Sequence, residues 1–256
     1  MSAATLVRMG ADSASAEPAL VLVAHGSRAA GGDDVATTVA AAVSARRPEQ
    51  LVRLAYLNHG CPSLPAALDA LAAEGRSAAV VVPLLLSTGV HATTDIDLAV
   101  ASATAAHPGL AVKASGALGP DRLLVAALRE RLDDAGAHAG GGGVVILAAT
   151  GSSDPAGLSA VNRTAEMLQA VAGYDAVTVG FVGGAEPDLA EALANARAGG
   201  ASAVFMVPYL LGDGHFAGVA RAMAGDDAVV TAPLGAHDGV IDLVLVRYDD
   251  TAAALA

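Results

Sequence analysis

The sequence contains no tryptophan, a single cysteine, and only three phenylalanines and four tyrosines in 256 residues. Charged side chains are scarce at 16 %, and basic ones scarcer still: 14 Lys and Arg stand against 26 Asp and Glu, a formal charge of −12. Each shortage excludes something. One cysteine, Cys61, cannot close an intrachain disulfide and suits a reducing compartment, so a cytoplasmic location is expected. So few cations cannot form the basic surface that nucleic acid requires. No stretch supplies the roughly 18–20 uninterrupted apolar residues of a membrane-spanning helix. The longest apolar run, Ala78 to Leu86 with Pro83 inside it, has the length of a buried strand. Residues 1–18 carry Asp12 and Glu17 where a signal peptide would have its apolar core, and read as a flexible leader. No G-x-G-x-x-G follows a strand and no G-x-x-x-x-G-K-[ST] occurs, so a nucleotide cofactor is disfavoured.

What is present is small and apolar. Hydrophobic residues make up 54 % of the chain, which rules out disorder. Apolar β-rich runs at 19–24, 51–57, 78–86, 110–114, 143–149, 175–182, 202–210 and 227–232 alternate with Ala-rich segments of helical character. Those segments lie at 33–47, 64–74, 93–106, 121–135, 156–172, 188–198, 215–224 and 237–246. Continuous apolar strands alternating with helices predict an α/β fold whose parallel sheets are covered on both faces.

The sequence also repeats itself at an offset of 125. Tyr56-Leu57 falls on Phe181-Val182, Pro62-Ser63-Leu64 on Pro187-Asp188-Leu189, Gly75 on Gly200, and Val82-Pro83-Leu84-Leu85-Leu86 on Val207-Pro208-Tyr209-Leu210-Leu211. His25-Gly26-Ser27 falls on Thr150-Gly151-Ser152. After a shortened connection, Leu118-Gly119 matches Leu234-Gly235. Two similar four-stranded domains are therefore expected, at 19–137 and 143–250, joined by a Gly-rich linker at 138–142.

Open parallel sheets bind ligands beyond the carboxyl ends of their strands. The first strand ends in Ala24-His25-Gly26-Ser27-Arg28, and the third leads into a loop carrying Gly89 and His91. Strands one and three are common neighbours in such sheets, which would set His25 and His91 on one crevice as a metal site or acid/base pair. Asp95, four residues beyond His91, shares its helix face and is placed to orient it. The plainer reading of any one loop histidine is a solvated residue, and His59, His107, His138 and His237 are read that way. His59 is the exception worth holding open, because it follows a strand end on the side of His25. Cys61 reads as a small buried hydrophobe. Thr150 to Asp154 with Pro155 reads as a helix N-cap with proline at the first helical position.

These segments resemble the class II tetrapyrrole metal chelatases, the sirohydrochlorin ferrochelatases and cobaltochelatases. The resemblance rests on LVLVAHGSR, AYLNHGCPSLPAAL and VPLLLSTGVHATTDI in the first half, and on ILAATGSSDP and VPYLLGDGHFAG in the second. It covers nearly the whole chain from residue 19, including the tandem duplication of the longer members. It implies that His25 and His91 hold the metal and act in catalysis. The implied reaction inserts divalent iron or cobalt, as substrate, into sirohydrochlorin with release of two pyrrole protons. It implies no nucleotide and no permanently bound cofactor. A small-molecule tetrapyrrole partner and a monomer with a pseudo-two-fold arrangement of domains are implied as well, since shorter relatives dimerise to make the same cleft.

The chain departs from the pattern at named positions. Asn58 stands where relatives often carry a carboxylate, so either His59 substitutes or the acid is dispensable. Thr150 replaces the first histidine in the second half, and His215 falls one position early, His91 aligning with Phe216. One active site is expected, built mainly from the first half, with the second as opposing wall; His215 is a candidate to point into the cleft. A polycarboxylate substrate needs local donors in so acidic a protein. Arg28, beside Ser27, is the leading cation, and Arg122, Arg163 and Arg221 read as solvated helix residues. The readings carried forward are a ferrochelatase of sirohaem synthesis, a cobaltochelatase of anaerobic cobalamin synthesis, and a non-catalytic tetrapyrrole- or metal-binding protein.

Overall fold

The computed structural model describes residues 17–26, 34–138 and 142–255. The first half runs β1 (Ala19–Ala24), α1 (Asp34–Arg46), β2 (Val52–Tyr56), α2 (Leu64–Ala73), β3 (Ala78–Pro83), α3 (Val90–Ala106), β4 (Ala111–Ala114), α4 (Arg122–Asp134). The second runs β5 (Val144–Ala149), α5 (Pro155–Ala172), β6 (Ala176–Phe181), α6 (Leu189–Ala198), β7 (Val204–Pro208), α7 (His215–Ala224), β8 (Val229–Val230), α8 (Asp238–Ala253). The strands form two separate parallel sheets, ordered β2-β1-β3-β4 and β6-β5-β7-β8. The offset of the sequence repeat reappears in the register: Leu22 sits between Leu54 and Val82, and Leu147 between Val179 and Val207.

Alternation along each central strand explains why it is apolar throughout. Successive side chains point to opposite faces of a sheet. In β1, Ala19, Val21 and Val23 pack under α2 and α3, whereas Leu20, Leu22 and Ala24 join a core on the other face. In β5, Ile146 and Ala148 pack under α6 and α7, while Val145, Leu147 and Ala149 enter that same other core. Both faces exclude water, so neither face of the strand carries a polar residue.

The core common to both sheets has a feature that the sequence halves do not announce. The last helix of each half crosses over. Helix α4 packs against α5, β7 and α8, and α8 packs against α1, β3, β4 and α4. Each sheet is thus covered on its inner face by one helix of its own half and one of the other. Equivalent arginines fasten the exchange. Arg131 Nη2 donates to the carbonyl of Leu234 at 2.9 Å, and Arg247 Nη2 donates to the carbonyl of Leu118 at 2.8 Å. The two helices are also capped alike: Asp121 accepts from the Leu123 N–H at the start of α4, and His237 from the Gly239 N–H at the start of α8.

The expected elements all occur; the strand expected at 78–86 ends at Pro83, that at 227–232 is reduced to Val229–Val230, and two helices are longer than expected. Helix α8 continues past 246 to Ala253, because Tyr248 and Thr251 are buried in the exchanged interface. Helix α3 starts at Val90, three residues early, which moves His91 from a loop into the first helical turn. Asp154 caps α5 with Pro155 at its first position, as the sequence suggests.

Candidate active site

Strand β1 delivers His25 to the carboxyl edge of the first sheet, and Gly26 turns the chain away at φ +85°. The ladder runs on past the strand ends. The Leu57 N–H donates to the Ala24 carbonyl at 2.9 Å and the Asn58 N–H to the His25 carbonyl at 3.0 Å. The β1 and β2 exits therefore lie against each other. A Cβ on Gly26 would sit 2.6 Å from the Asn58 carbonyl oxygen and 2.8 Å from that of His59. Glycine is required there for both the positive φ and the close approach. The His25 imidazole is left exposed.

His25 lines a cavity of about 290 Å³ made by both halves. From the first half come Ala24, His25, Gly26, Leu84 and, on α1, Val35, Ala36 and Val39. From the second come Leu210, Leu211, Gly212, Gly214, His215, Phe216 and Ala217. It sits at the carboxyl ends of β1, β3 and β7, the edge where parallel sheets bind ligands. The wall is apolar, with two imidazoles set into it, one from each half. His215 opens α7, and its ring meets Phe216 edge-on at 5.5 Å between centroids and 64°. Asp213, in the loop before α7, is paired with Arg221 in the last turn of that helix.

The expected residues distribute unevenly around this cavity. Strands β1 and β3 are neighbours, as required for His25 and His91 to share a crevice. His91, however, is an exposed residue of the first turn of α3 and does not line the cavity, whereas His215 does. Asp95 does not orient His91. No hydrogen bond joins the two among the described residues, and Asp95 instead lines a separate cavity of about 320 Å³ with Tyr56, Leu57, Leu64 and Pro65. Helical geometry puts i and i+4 on one face, but both side chains are exposed and sharing a face does not by itself join them. Gly89 is the N-cap of α3, with no side-chain cap. Asn58 and His59 are exposed in the β2–α2 connection beside Gly26. Ser27 and Arg28 lie outside the described residues, and so does most of the 138–142 linker. Among the described residues no three His, Cys, Asp or Glu side chains converge as a closed metal cage.

Other expectations resolve plainly. Cys61 is exposed, not buried: it lies in the β2–α2 connection beyond the reach of the core. His107 bonds Asp69 at 2.7 Å, His237 bonds Glu130 at 3.1 Å while capping α8, and His138 lies 3.8 Å from Asp133. Arg163 pairs with Glu166, and Arg221 with Asp213. No described helix is long and apolar enough to cross a membrane.

The pseudo-symmetric position holds a smaller cavity of about 220 Å³, lined by Leu84 to Ser87, Ala149, Thr150, Val161 and Tyr209 to Leu211. Thr150 stands where His25 does, and Tyr209 where Leu84 does. Tyr209 is buried, donates to the Leu86 carbonyl of the other half at 3.0 Å, and accepts from Thr164 at 3.4 Å. Burial pushes its phenol up to about 12, the Thr164 hydrogen bond opposing. The neutral phenol is therefore favoured in the folded state. That preference is intact below pH 10 and lost as pH rises through 12, an effect of about 2–3 kcal/mol. Tyr209→Phe should be less stable by about 1 kcal/mol at pH 7, from the lost hydrogen bond. In urea titrations the gap to wild type should close between pH 10 and 12; a constant gap would rule out this role for the phenol.

The position of Phe216 and the role of Tyr209 were not legible in the sequence. Their one signal was compositional: in a chain with so few aromatic rings, each exposed or strand-end ring is an outlier.

The CbiX family model matches residues 19–135 and again 144–251. A protein named sirohydrochlorin ferrochelatase from Priestia megaterium is 27 % identical over 232 residues, covering 88 % of this chain and 87 % of that one. Among solved structures, SirB from Bacillus subtilis with Fe3+ superposes with a TM-score of 0.81 at 25 % identity, covering 93 % of this chain and 96 % of that one. The sirohydrochlorin chelatase SirB from the spizizenii subspecies, in complex with cobalt, gives 0.78 at the same identity and coverage.

Proposed function

The chain belongs to the CbiX family, and from that premise we propose that it is a sirohydrochlorin chelatase. On this reading it inserts a divalent metal, Fe2+ foremost and Co2+ as the alternative, into sirohydrochlorin with loss of two pyrrole protons. The observation that carries the reading is the cavity between the halves. It is walled by aliphatic side chains suited to a macrocycle, and it presents His25 where a metal would enter. Relatives that match along most of this chain are named for that chemistry, and the B. subtilis fold is known with both iron and cobalt.

Each residue has a task that follows from its chemistry. Imidazole ligates borderline divalent metals and also exchanges protons near neutrality, so His25 suits both holding the ion and easing deprotonation. An ion that must leave for the macrocycle is better held by few protein ligands than by a closed cage. His91, in the first turn of α3 and outside the cavity wall, is the second imidazole assigned to the metal on this reading. The carboxylates of the substrate face the open side of the cleft. There the start of α7, capped by Gly214 without a side-chain bond, leaves backbone N–H donors available, and Arg28 follows His25 in sequence. No nucleotide or resident cofactor takes part. One chain supplies both walls, so the protein acts as a monomer in the cytoplasm, in sirohaem synthesis if iron is the metal and in cobalamin synthesis if cobalt is.

The test is direct. Protein, Fe2+ and sirohydrochlorin mixed without oxygen should give the absorption change of metallation at least about tenfold faster than the protein-free control, with Co2+ as a parallel series. Rates equal to the control with both metals reject the enzyme and leave a binding protein.

A further inference from the structure

Resting on the chelatase reading, we propose that Phe216 is the platform on which the tetrapyrrole macrocycle lies, so that the second half retains a substrate-binding role although its own histidine has become Thr150. The chain has three phenylalanines. Phe181 is buried, Phe205 is half-buried, and Phe216 alone is exposed, at 46 %. An exposed phenylalanine on the wall of a cavity that also holds His25 is apolar surface kept uncovered at the point where a ligand would cover it. His215 meets its ring edge-on, at 5.5 Å between centroids. The residue before that pair is Gly214, where even a Cβ would touch nothing within 4 Å, so there is open space at the start of α7.

A conjugated macrocycle offers a broad apolar face and a rim of carboxylates. An aromatic ring on one wall receives the face, and the open side of the cleft leaves the rim in water. Phe216 is a binding residue in this scheme and takes no part in bond changes.

The experiment compares wild type with Phe216→Ala, Phe216→Leu and Phe216→Tyr. Affinity for metal-free sirohydrochlorin is read by absorption titration, and KM and kcat by the anaerobic metallation assay. For Phe216→Ala, Kd and KM should rise about tenfold with kcat within about twofold of wild type. Phe216→Tyr should restore both constants, and Phe216→Leu should fall between. Binding of Co2+ alone should be the same in all four. If wild type turns over but the alanine variant keeps its Kd and KM, or loses kcat at unchanged KM, the platform is wrong and the chelatase reading stands. If Phe216→Leu matches wild type, the contact is not aromatic and the proposal also fails. If wild type neither binds nor metallates sirohydrochlorin, the functional reading itself has failed. Because the side chain is exposed, melting temperatures within a few degrees of one another accompany all of these outcomes.

Discussion

His25→Ala is expected to lower kcat/KM for metal insertion by about 100-fold or more while leaving the melting temperature unchanged. The separation of the two effects follows from where His25 makes its contacts. Its backbone carbonyl receives the Asn58 N–H and holds the β1 and β2 exits together, and alanine keeps that bond. Its side chain is exposed on the cavity wall and supports no packing. Removing it deletes a metal-ligating, proton-accepting group and nothing structural. His91→Ala should also slow the reaction, by at least about tenfold, if the first turn of α3 delivers a second imidazole to the metal. Near wild-type rates in both variants would show that the metal is held elsewhere.

Gly151→Ala is expected to do the reverse. Its Cβ would lie 1.7 Å from the carbonyl oxygen of Gly183 and under 3 Å from the carbonyl carbons of Gly183 and Gly184. All three are backbone atoms, so no side-chain rotation relieves the overlap. The β5 and β6 exits are tied by the Val182 N–H to the Ala149 carbonyl at 2.9 Å, and that pairing must open to admit a methyl group. Overpacking of this kind should cost about 3 kcal/mol, lowering Tm by roughly 6–12 °C in a chain of this size. The fraction that remains folded should metallate at close to the wild-type rate. A Tm within about 2 °C of wild type would show that the exits are not rigidly apposed. The comparison with Gly26 sharpens the point. Gly26 and Gly151 occupy the same place in the repeat and make the same close approach. The second half has exchanged His25 for Thr150 and kept the glycine. The geometry of the strand exit is therefore needed in both halves, and the imidazole in one.

Much of the architecture is written locally. Unbroken apolar strands, small helices and the offset of 125 are properties of neighbouring residues, and they led to two parallel sheets with β1 beside β3. The exchange of α4 and α8 was not legible, because an apolar helix face reports that it is buried and not which sheet buries it. The same limit explains the errors at the site. Spacing placed Asp95 on the face of His91, but a shared face does not make a hydrogen bond, and Asp95 lines the cavity with Tyr56 and Pro65 instead. Cys61 looked buried by residue type and is exposed because it sits in a connection. His25 was visible as a strand-end histidine. His215 entered only as a candidate, and the structure places it across the cavity from His25 because the halves, not neighbouring residues, bring them together.

The crossed helices have a further meaning for how the molecule persists. Each sheet borrows one of its covering helices from the other half, and each borrowed helix is fastened by an arginine to a backbone carbonyl on the far side. Peeling the halves apart would strip both inner faces to water at once, so the two cannot swing open as independent bodies on a tether. Two unlinked copies of a half-length chain could trade their last helices in the same way, and a chain severed at the connection would still be held as one particle by its interior.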